Sequence, residues 1–246
     1  MLGQYHCQRK GWTVPLTDDL KGQVKKIFRE QWSKRVGRVV PSPADLALGN
    51  DAVTLEATIL YADMDGSTQL VDSESRSFAA EIYKSYLACA ARIIKSNGGT
   101  ITAYDGDRVM AVFIGDTKDS IAVQTAMQIR WAVSNIVNPA IKEQYSTSTY
   151  QLRHTIGIDT SEIQVSRIGV RNDNDLVWVG RAANYAAKLS NLPSGYVYIT
   201  DSVFKGLNDN SKYSGADPRK LMWEARTWKA MNDMSIYRSS WTWKLK

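Results

Sequence analysis

A strand that ends on two acids is the feature that most constrains how this chain can fold. In ATILYADMDGSTQLVD (57–72), an almost unbroken apolar run leads to Asp63 and Asp65, just before a Gly-Ser-Thr turn. Asp65, Ser67 and Thr68 have a structural explanation as helix caps, since such side chains accept hydrogen bonds from the free amides of a helix start. Asp63 belongs to the strand itself, where a lone carboxylate against an apolar sheet is costly unless it is paired or binds a cation.

A second acid follows in a predicted β-hairpin. The stretch NGGTITAYDGDRVMAVFIGD (97–116) is typical of two short strands joined at Asp105-Gly106, a dipeptide that suits a tight turn. If this hairpin lies beside the first strand, Asp107 and Asp63 converge at one edge of a sheet. Paired carboxylates suit Mg²⁺ or Mn²⁺, which prefer oxygen ligands and commonly bridge to phosphate. The two acids therefore predict a two-metal site for phosphoryl transfer.

The order of the predicted elements indicates a mixed fold. A strand over 56–63 is followed by an amphipathic helix over 76–95, the hairpin, a second amphipathic helix over roughly 117–136, and two further strands within 150–169. This is a β-α-β-β-α-β order with additional elements after it. We therefore expect an α+β fold, in which a mainly antiparallel sheet carries helices packed on one face.

The formal net charge of +6 is concentrated near the N-terminus. The segment KGQVKKIFREQWSKRVGR (21–38) places Val24, Ile27, Phe28 and Trp32 at helical spacing among seven Lys and Arg. One interpretation is a helix that packs by its apolar stripe and leaves its Lys and Arg side chains in solvent. The other is a helix that contacts nucleic acid or lipid through those Lys and Arg side chains.

The chain divides into two predicted parts. Two prolines and a glycine in 40–53 indicate a linker, so residues 1–50 form an N-terminal basic helical segment with its linker and residues 51–246 form the main domain. No segment approaches the ~20 consecutive apolar residues that cross a bilayer, and the N-terminus lacks the apolar run of a signal peptide. We therefore expect a cytoplasmic protein with no membrane insertion.

Four stretches of the sequence resemble, in order, the motifs of the class III nucleotide cyclases. YADMDGST (61–68) is similar to the first metal motif of that family, and AYDGD (103–107) is similar to the hairpin that carries its second metal aspartate. Two later family segments resemble HTIGIDTSEIQVSRIG (154–169) and VWVGRAANYAAKLSNLPSGYVYIT (177–200). The resemblance covers about 56–204. It implies the family's catalytic domain, with a ferredoxin-like βαββαβ core, in a head-to-tail homodimer with two active sites at the interface.

The resemblance also implies residue roles, with two Mn²⁺ or Mg²⁺ ions as cofactors. The implied metal-binding residues are Asp63, Met64 and Asp107. The partner protomer would supply the helix that starts near Gly180, where Arg181, Asn184 and Lys188 form one polar stripe. Asn184 matches the asparagine that orients the ribose. Lys188 stands where an arginine usually stabilises the transition state, so a point charge replaces a planar two-pronged donor, and Arg181 would assist it.

The positions that read the nucleobase depart from the purine-specific members of the family. Ala103 and Val177 stand where adenine- and guanine-specific enzymes carry polar side chains, so the hydrogen bonds that select a purine are absent. We assign Ala103, Tyr104 and Val177 to the predicted base pocket. Bulky neighbours that would fill the pocket or donate to the base are Tyr61, Tyr104, Arg108 and Trp178. Core packing is the alternative for each of them, and for Tyr61 and Trp178 it is the one we favour.

The divergent N-terminal piece, together with the segment GRAANYAAKLS (180–190), resembles the pyrimidine cyclases of Pycsar antiphage defence. The implied reaction converts UTP to 3′,5′-cyclic UMP, or CTP to cyclic CMP, with release of pyrophosphate. The product would activate a separate effector that binds cyclic nucleotides. The alternatives are a catalytically silent nucleotide-binding homologue and a purine (adenylate) cyclase with a divergent base pocket. A stable nucleic-acid partner is not expected.

Overall fold

Residues 15–170 and 172–245 are described by a computed structural model, and within them nine strands form one sheet. The strands are β1 (Ser33–Val36), β2 (Asp51–Asp65), β3 (Thr100–Asp105), β4 (Arg108–Phe113), β5 (Arg153–Val170), β6 (Asp173–Gly180), β7 (Val197–Thr200), β8 (Glu224–Trp228) and β9 (Met234–Ser239). Their order is β3-β4-β2-β5-β7-β9-β8, with β1 paired to β2 and β6 paired to β5.

The helices surround this sheet. They are α1 (Leu16–Arg29), α2 (Ser67–Ser73), α3 (Arg76–Ser96), α4 (Lys118–Ala132), α5 (Asn138–Gln144), α6 (Arg181–Leu189), α7 (Asp201–Gly206) and α8 (Asp209–Lys212). The β2-α3-β3-β4-α4-β5 portion is the predicted βαββαβ core, since its four strands pair antiparallel in the order β3-β4-β2-β5. The predicted α+β fold is confirmed.

Strand β2 separates two hydrophobic cores because its side chains alternate between the faces of the sheet. Leu60 and Ala62 face the larger core, where α3 and α4 contribute Ile82, Tyr86 and Met127. The smaller core, on the other face, contains every second residue from Val53 to Ile59 together with three alanines of α6. The two core helices thus share one face, and α6, which follows the core in sequence, packs on the opposite one.

The helix predicted over 117–136 is shorter than expected. α4 ends at Ala132, and a five-residue π-helical turn, Val133–Val137, leads into α5. Pro139 lies in the first turn of α5. Because proline has no N–H to donate to the preceding turn, the regular α-helical ladder cannot continue through this point.

The N-terminal helix differs from the prediction in both its bounds and its packing. α1 ends at Arg29, and β1 then pairs in parallel with β2, so Trp32 lies outside the helix. The interpretation that α1 packs by its apolar stripe is wrong for this single chain, because Val24 and Ile27 remain 50% and 49% exposed. The amide of Asn50 donates to the Ile27 carbonyl at 2.8 Å, which joins the end of α1 to the residue before β2.

Because β1 belongs to the predicted N-terminal segment, that segment contributes to the same sheet as the main domain. The division at residue 50 stays a prediction. No helix among the described residues is both long enough and apolar enough to cross a membrane.

Candidate active site

Asp63 lies near the end of β2, between two neighbouring strands. It pairs with Arg108 of β4 on one side and with Thr155 of β5 on the other. β2 extends to Asp65. α2 starts after Gly66, which has a left-handed φ of 73°, and no side chain caps the start of this helix. The helix-cap explanation of Asp65, Ser67 and Thr68 is therefore wrong here.

The hairpin of β3 and β4 brings Asp107 to the same place. Gly106 provides the positive φ of 61° that the turn requires, as expected for Asp-Gly. Burial, and after it the negative charge of Asp107, raise the pKa of Asp63 to about 6, although the nearby Arg108 partly opposes this rise. The site therefore holds two carboxylates that repel each other, one of them partly desolvated.

This pair fits a hard divalent cation, because carboxylate oxygens are its preferred ligands and its charge would relieve their repulsion. The side chain of Met64 is buried in the larger core, and a thioether is a poor ligand for such ions. Met64 can therefore offer the site only its main chain. In the described part of the chain, no group of three or more His, Cys, Asp or Glu side chains is placed to hold a metal.

One chain alone forms only a small cleft around Asp63. The cleft measures about 220 Å³ and is lined by Asp63, Met64, Asp65, Thr155, Ser190, Asn191 and Leu192. Pockets for drug-sized ligands usually measure roughly 300–1,000 Å³. The cleft that one chain forms around Asp63 is therefore smaller than a usual ligand pocket.

The predicted polar stripe lies on α6, which packs tightly on β5. Ala182 and Ala186 are buried against the sheet, whereas Asn184 and Lys188 are exposed. Gly157 permits this close approach, because a Cβ at that position would lie 2.2 Å from the carbonyl oxygen of Ala186. The Lys188 ammonium lies 3.6 Å from the sulfur of Met231.

Arg181, the first residue of α6, is engaged within its own chain. Its Nε donates to Asp159 Oδ2 at 3.1 Å, and its Nη2 donates to the Thr160 carbonyl at 2.6 Å. The same Nη2 contacts Ser202 Oγ at 3.0 Å. To assist Lys188 as predicted, Arg181 would have to leave these intramolecular partners.

The start of α6 lies apart from the carboxylates within one chain. α6 begins beside Ile163, and Thr155, which pairs with Asp63, lies eight residues away on β5, roughly 27 Å at about 3.4 Å per residue. α6 then runs back along β5, so that Ala186 packs on Gly157 and residues 190–192 line the cleft at Asp63, whereas Asn184 is exposed and does not line that cleft. The structure therefore brings Asp63 and Asp107 together but does not bring Asn184 to them.

The predicted base-pocket residues do not form one pocket in a single chain. Ala103 packs against the smaller core, and Tyr104 is 56% exposed on the hairpin. Val177 pairs with Ser166 and lines a cavity of about 550 Å³ between α1 and the β5–β6 hairpin. Trp178 faces the α6 core, so Val177 points to the opposite face of the sheet.

The bulky neighbours considered for the base have packing partners. The Tyr61 hydroxyl donates to the Met110 sulfur at 3.0 Å, and the Arg108 guanidinium lies 5.3 Å from the centre of the Tyr61 ring. Arg108 also forms a salt bridge with Asp105 at 2.5 Å. For Tyr61 and Trp178, the structure agrees with the core-packing alternative.

Comparison with known proteins gives two strong sequence relatives. A uridylate cyclase from Xanthomonas perforans is 50% identical over 231 residues, which cover 94% of this chain and 99% of the relative. A uridylate cyclase from Burkholderia cepacia is 49% identical over 235 residues, with the same coverage of both chains. The guanylyl cyclase Cya2 has the same fold, with a TM-score of 0.65, 20% identity and coverage of 77% of this chain and 94% of that one. The chain belongs to the class III nucleotide cyclases.

No family model matches the sequence of this cyclase. The residue that the sequence analysis missed is Asp159, the buried partner of Arg181. An acid within the apolar strand HTIGID was the available signal, because such a group requires a partner. The partner itself, 22 residues further along the chain, follows only from the way α6 packs on β5.

Proposed function

We propose that this cyclase converts UTP to 3′,5′-cyclic UMP and pyrophosphate. The carboxylate pair of Asp63 and Asp107 carries the proposal, since it suits metal-dependent phosphoryl transfer in a chain half-identical to two uridylate cyclases. The names of these relatives favour UTP over CTP as the substrate. The absence of polar side chains at Ala103 and Val177 agrees with a base other than a purine.

Asp63 and Asp107 would hold the divalent cations, two Mn²⁺ or Mg²⁺ ions by resemblance to the family. Bound there, the metal supplies charge neutralisation on the triphosphate and lowers the pKa of the ribose 3′-hydroxyl. Asn184 would orient the ribose, and Lys188 would place its ammonium at the α-phosphate, where negative charge develops. Most of the rate would come from this positioning and neutralisation.

Two copies of the chain, arranged head to tail, would complete each site. Asn184 and Lys188 are exposed on α6, and neither lines the cleft at Asp63 of the same chain. A second copy related by a two-fold axis would bring its α6 to the carboxylates of the first, and symmetry would then create two equal sites.

Of the proposed base-pocket residues, Ala103 and Tyr104 fit this arrangement better than Val177. The first two lie on the hairpin that carries Asp107, whereas Val177 points away from the face that carries α6. The exposed ring of Tyr104 is free to stack on a base.

The test uses purified protein with Mn²⁺ and an equimolar mixture of ATP, GTP, CTP and UTP, with products identified by mass spectrometry. Cyclic UMP as the main product is expected. Cyclic CMP would change the base, cyclic AMP or GMP would overturn the pyrimidine assignment, and tight nucleotide binding without any cyclic product would indicate a silent homologue. Asp107→Asn should abolish the product without lowering the melting temperature.

The proposal extends to a role in antiphage defence, because the chain resembles the pyrimidine cyclases of Pycsar systems. The cyclic nucleotide would then diffuse to a separate effector in the cytoplasm. Cells that express this cyclase with its effector should resist phage, and Asp107→Asn should remove that resistance. Equal protection by the variant would contradict this role.

A further inference from the structure

Arg181 carries more contacts inside its own chain than the exposed residues beside it on α6. Its guanidinium donates to the carboxylate of Asp159, to the Thr160 carbonyl and to the Ser202 hydroxyl, and it lies 5.8 Å from the centre of the Tyr185 ring. A side chain held in this geometry is not free to follow a triphosphate on another protomer.

Asp159 is a buried acceptor in the middle of β5. Its side chain is 0% exposed, and Thr200 Oγ1 donates to its Oδ1 at 2.5 Å while Arg181 occupies its Oδ2. A buried carboxylate is tolerated only when it is paired and hydrogen-bonded. The pair of Arg181 and Asp159 therefore connects the first turn of α6 to the centre of the sheet.

Further contacts attach the same end of α6. The Ala182 amide donates to Ser161 Oγ at 3.0 Å, and the preceding Gly180 packs against Ile163 so closely that a Cβ there would lie 2.8 Å from Cγ2 of Ile163. The position and rotation of the helix are therefore set at its N-terminal end. Asn184 and Lys188 follow on the same face, one and two turns further along.

We propose that Arg181 is a positioning residue, which fixes α6 on the sheet through Asp159 and so aims Asn184 and Lys188 at the nucleotide. Within the described residues of the exposed α6 stripe, Lys188 is then the one cationic side chain that can contact the substrate. The inference rests on the proposed function, since it concerns the cyclase site. It replaces the assisting role that the sequence predicts for Arg181.

A double-mutant cycle with full-length protein tests this role. Arg181→Met and Asp159→Asn should each lower kcat with UTP and Mn²⁺ by up to about 100-fold, because small errors in position are costly to the reaction. KM should change much less, and the double variant should be no worse than either single variant, since one interaction is lost in all three. Arg181→Lys should recover part of kcat.

The opposite hypothesis predicts a different pattern. If Arg181 contacted the triphosphate, Asp159→Asn would release the guanidinium and leave kcat at or above that of the wild type. The effects of the two substitutions would then be additive. Either result would overturn the positioning role.

A matched control and a second measurement separate this role from general instability. Arg35 also pairs with a carboxylate and a main-chain carbonyl, Asp51 and Asp45, but lies outside α6, so Arg35→Met should leave kcat unchanged. Hydrogen exchange of the α6 amides should accelerate in Arg181→Met and not in Arg35→Met. Unchanged exchange of the α6 amides in Arg181→Met would contradict the positioning role, whether or not the protein forms a cyclic product. A wild type that formed no cyclic product would instead reject the proposed function.

Discussion

Asp63 and Asp159 are acids on neighbouring strands of one sheet, yet their surroundings are opposite. Asp159 is fully buried and receives hydrogen bonds from Thr200 and Arg181, which oppose the rise in its pKa that burial causes. Asp63 is half-buried, and the pKa rise caused by burial is increased by the charge of Asp107.

The difference separates an acid that supports the fold from an acid to which the proposed function assigns metal binding. A protein that buries a carboxylate for structure also supplies its donors, because an unpaired buried charge costs several kcal/mol. A protein that places two carboxylates together leaves a repulsion that an added cation relieves. This contrast is the physical basis for assigning metal binding to Asp63 and α6 positioning to Asp159.

The largest expected effect is a loss of turnover when Asp63 is substituted. Asp63→Asn should reduce cyclic-nucleotide formation by about 1,000-fold or more, because loss of the metal removes several kcal/mol of transition-state stabilisation. The rate is measured by pyrophosphate release with UTP and Mn²⁺. The melting temperature should stay equal or rise, since the substitution removes a disfavoured charge, and a strong decrease would mean that Asp63 supports the fold.

The next largest effect is a loss of folding stability when Asp159 is substituted. Asp159→Ala should lower the free energy of unfolding by about 3 kcal/mol, because Arg181 and Thr200 lose their buried acceptor. Urea denaturation at pH 7 measures this value. If Asp159→Ala and Asp63→Ala had equal effects on stability, the distinction between the two acids would fail.

A smaller effect comes from a buried group of a third kind. His154 is 4% exposed, lies beside the Tyr86 ring, and its Nε2 has no hydrogen-bond partner among the described residues. Burial, with a contribution from the charge of Arg130, lowers the pKa of His154 from 6.5 to about 3. Its folded pKa lies below its unfolded value, so its contribution to stability is complete above pH 6.5 and decreases as the pH falls toward 3.

The slope should be about 1.4 kcal/mol per pH unit within that window. Asp63 acts in the opposite direction, since its folded pKa is raised, and it therefore offsets this slope in the absolute stability of the wild type. The stability difference between wild type and His154→Phe isolates it. Urea denaturation at pH 7, 6 and 5 should show the wild type losing stability relative to His154→Phe, and a constant difference would contradict a neutral His154.

Local pattern predicted most of the fold. The apolar run that ends at Asp63, the helical face of Phe78, Ile82 and Tyr86, and the Asp105-Gly106 turn are all found where the sequence indicates them. The end of α1 was missed, because the Lys-Arg-Val segment that continues its charge pattern pairs with β2 instead. That pairing depends on residues near 51–54, which the helical pattern does not include.

The sequence by itself determined the βαββαβ order, the two acids at the strand end and the polar stripe of α6, because each is a periodicity or a spacing within one short segment. Only the tertiary structure decided that Arg181 reaches Asp159, that Val177 points away from α6 and that Asn184 does not line the Asp63 cleft of its own chain. Those facts depend on strand register and helix packing, in which a shift of one residue exchanges the faces of the sheet.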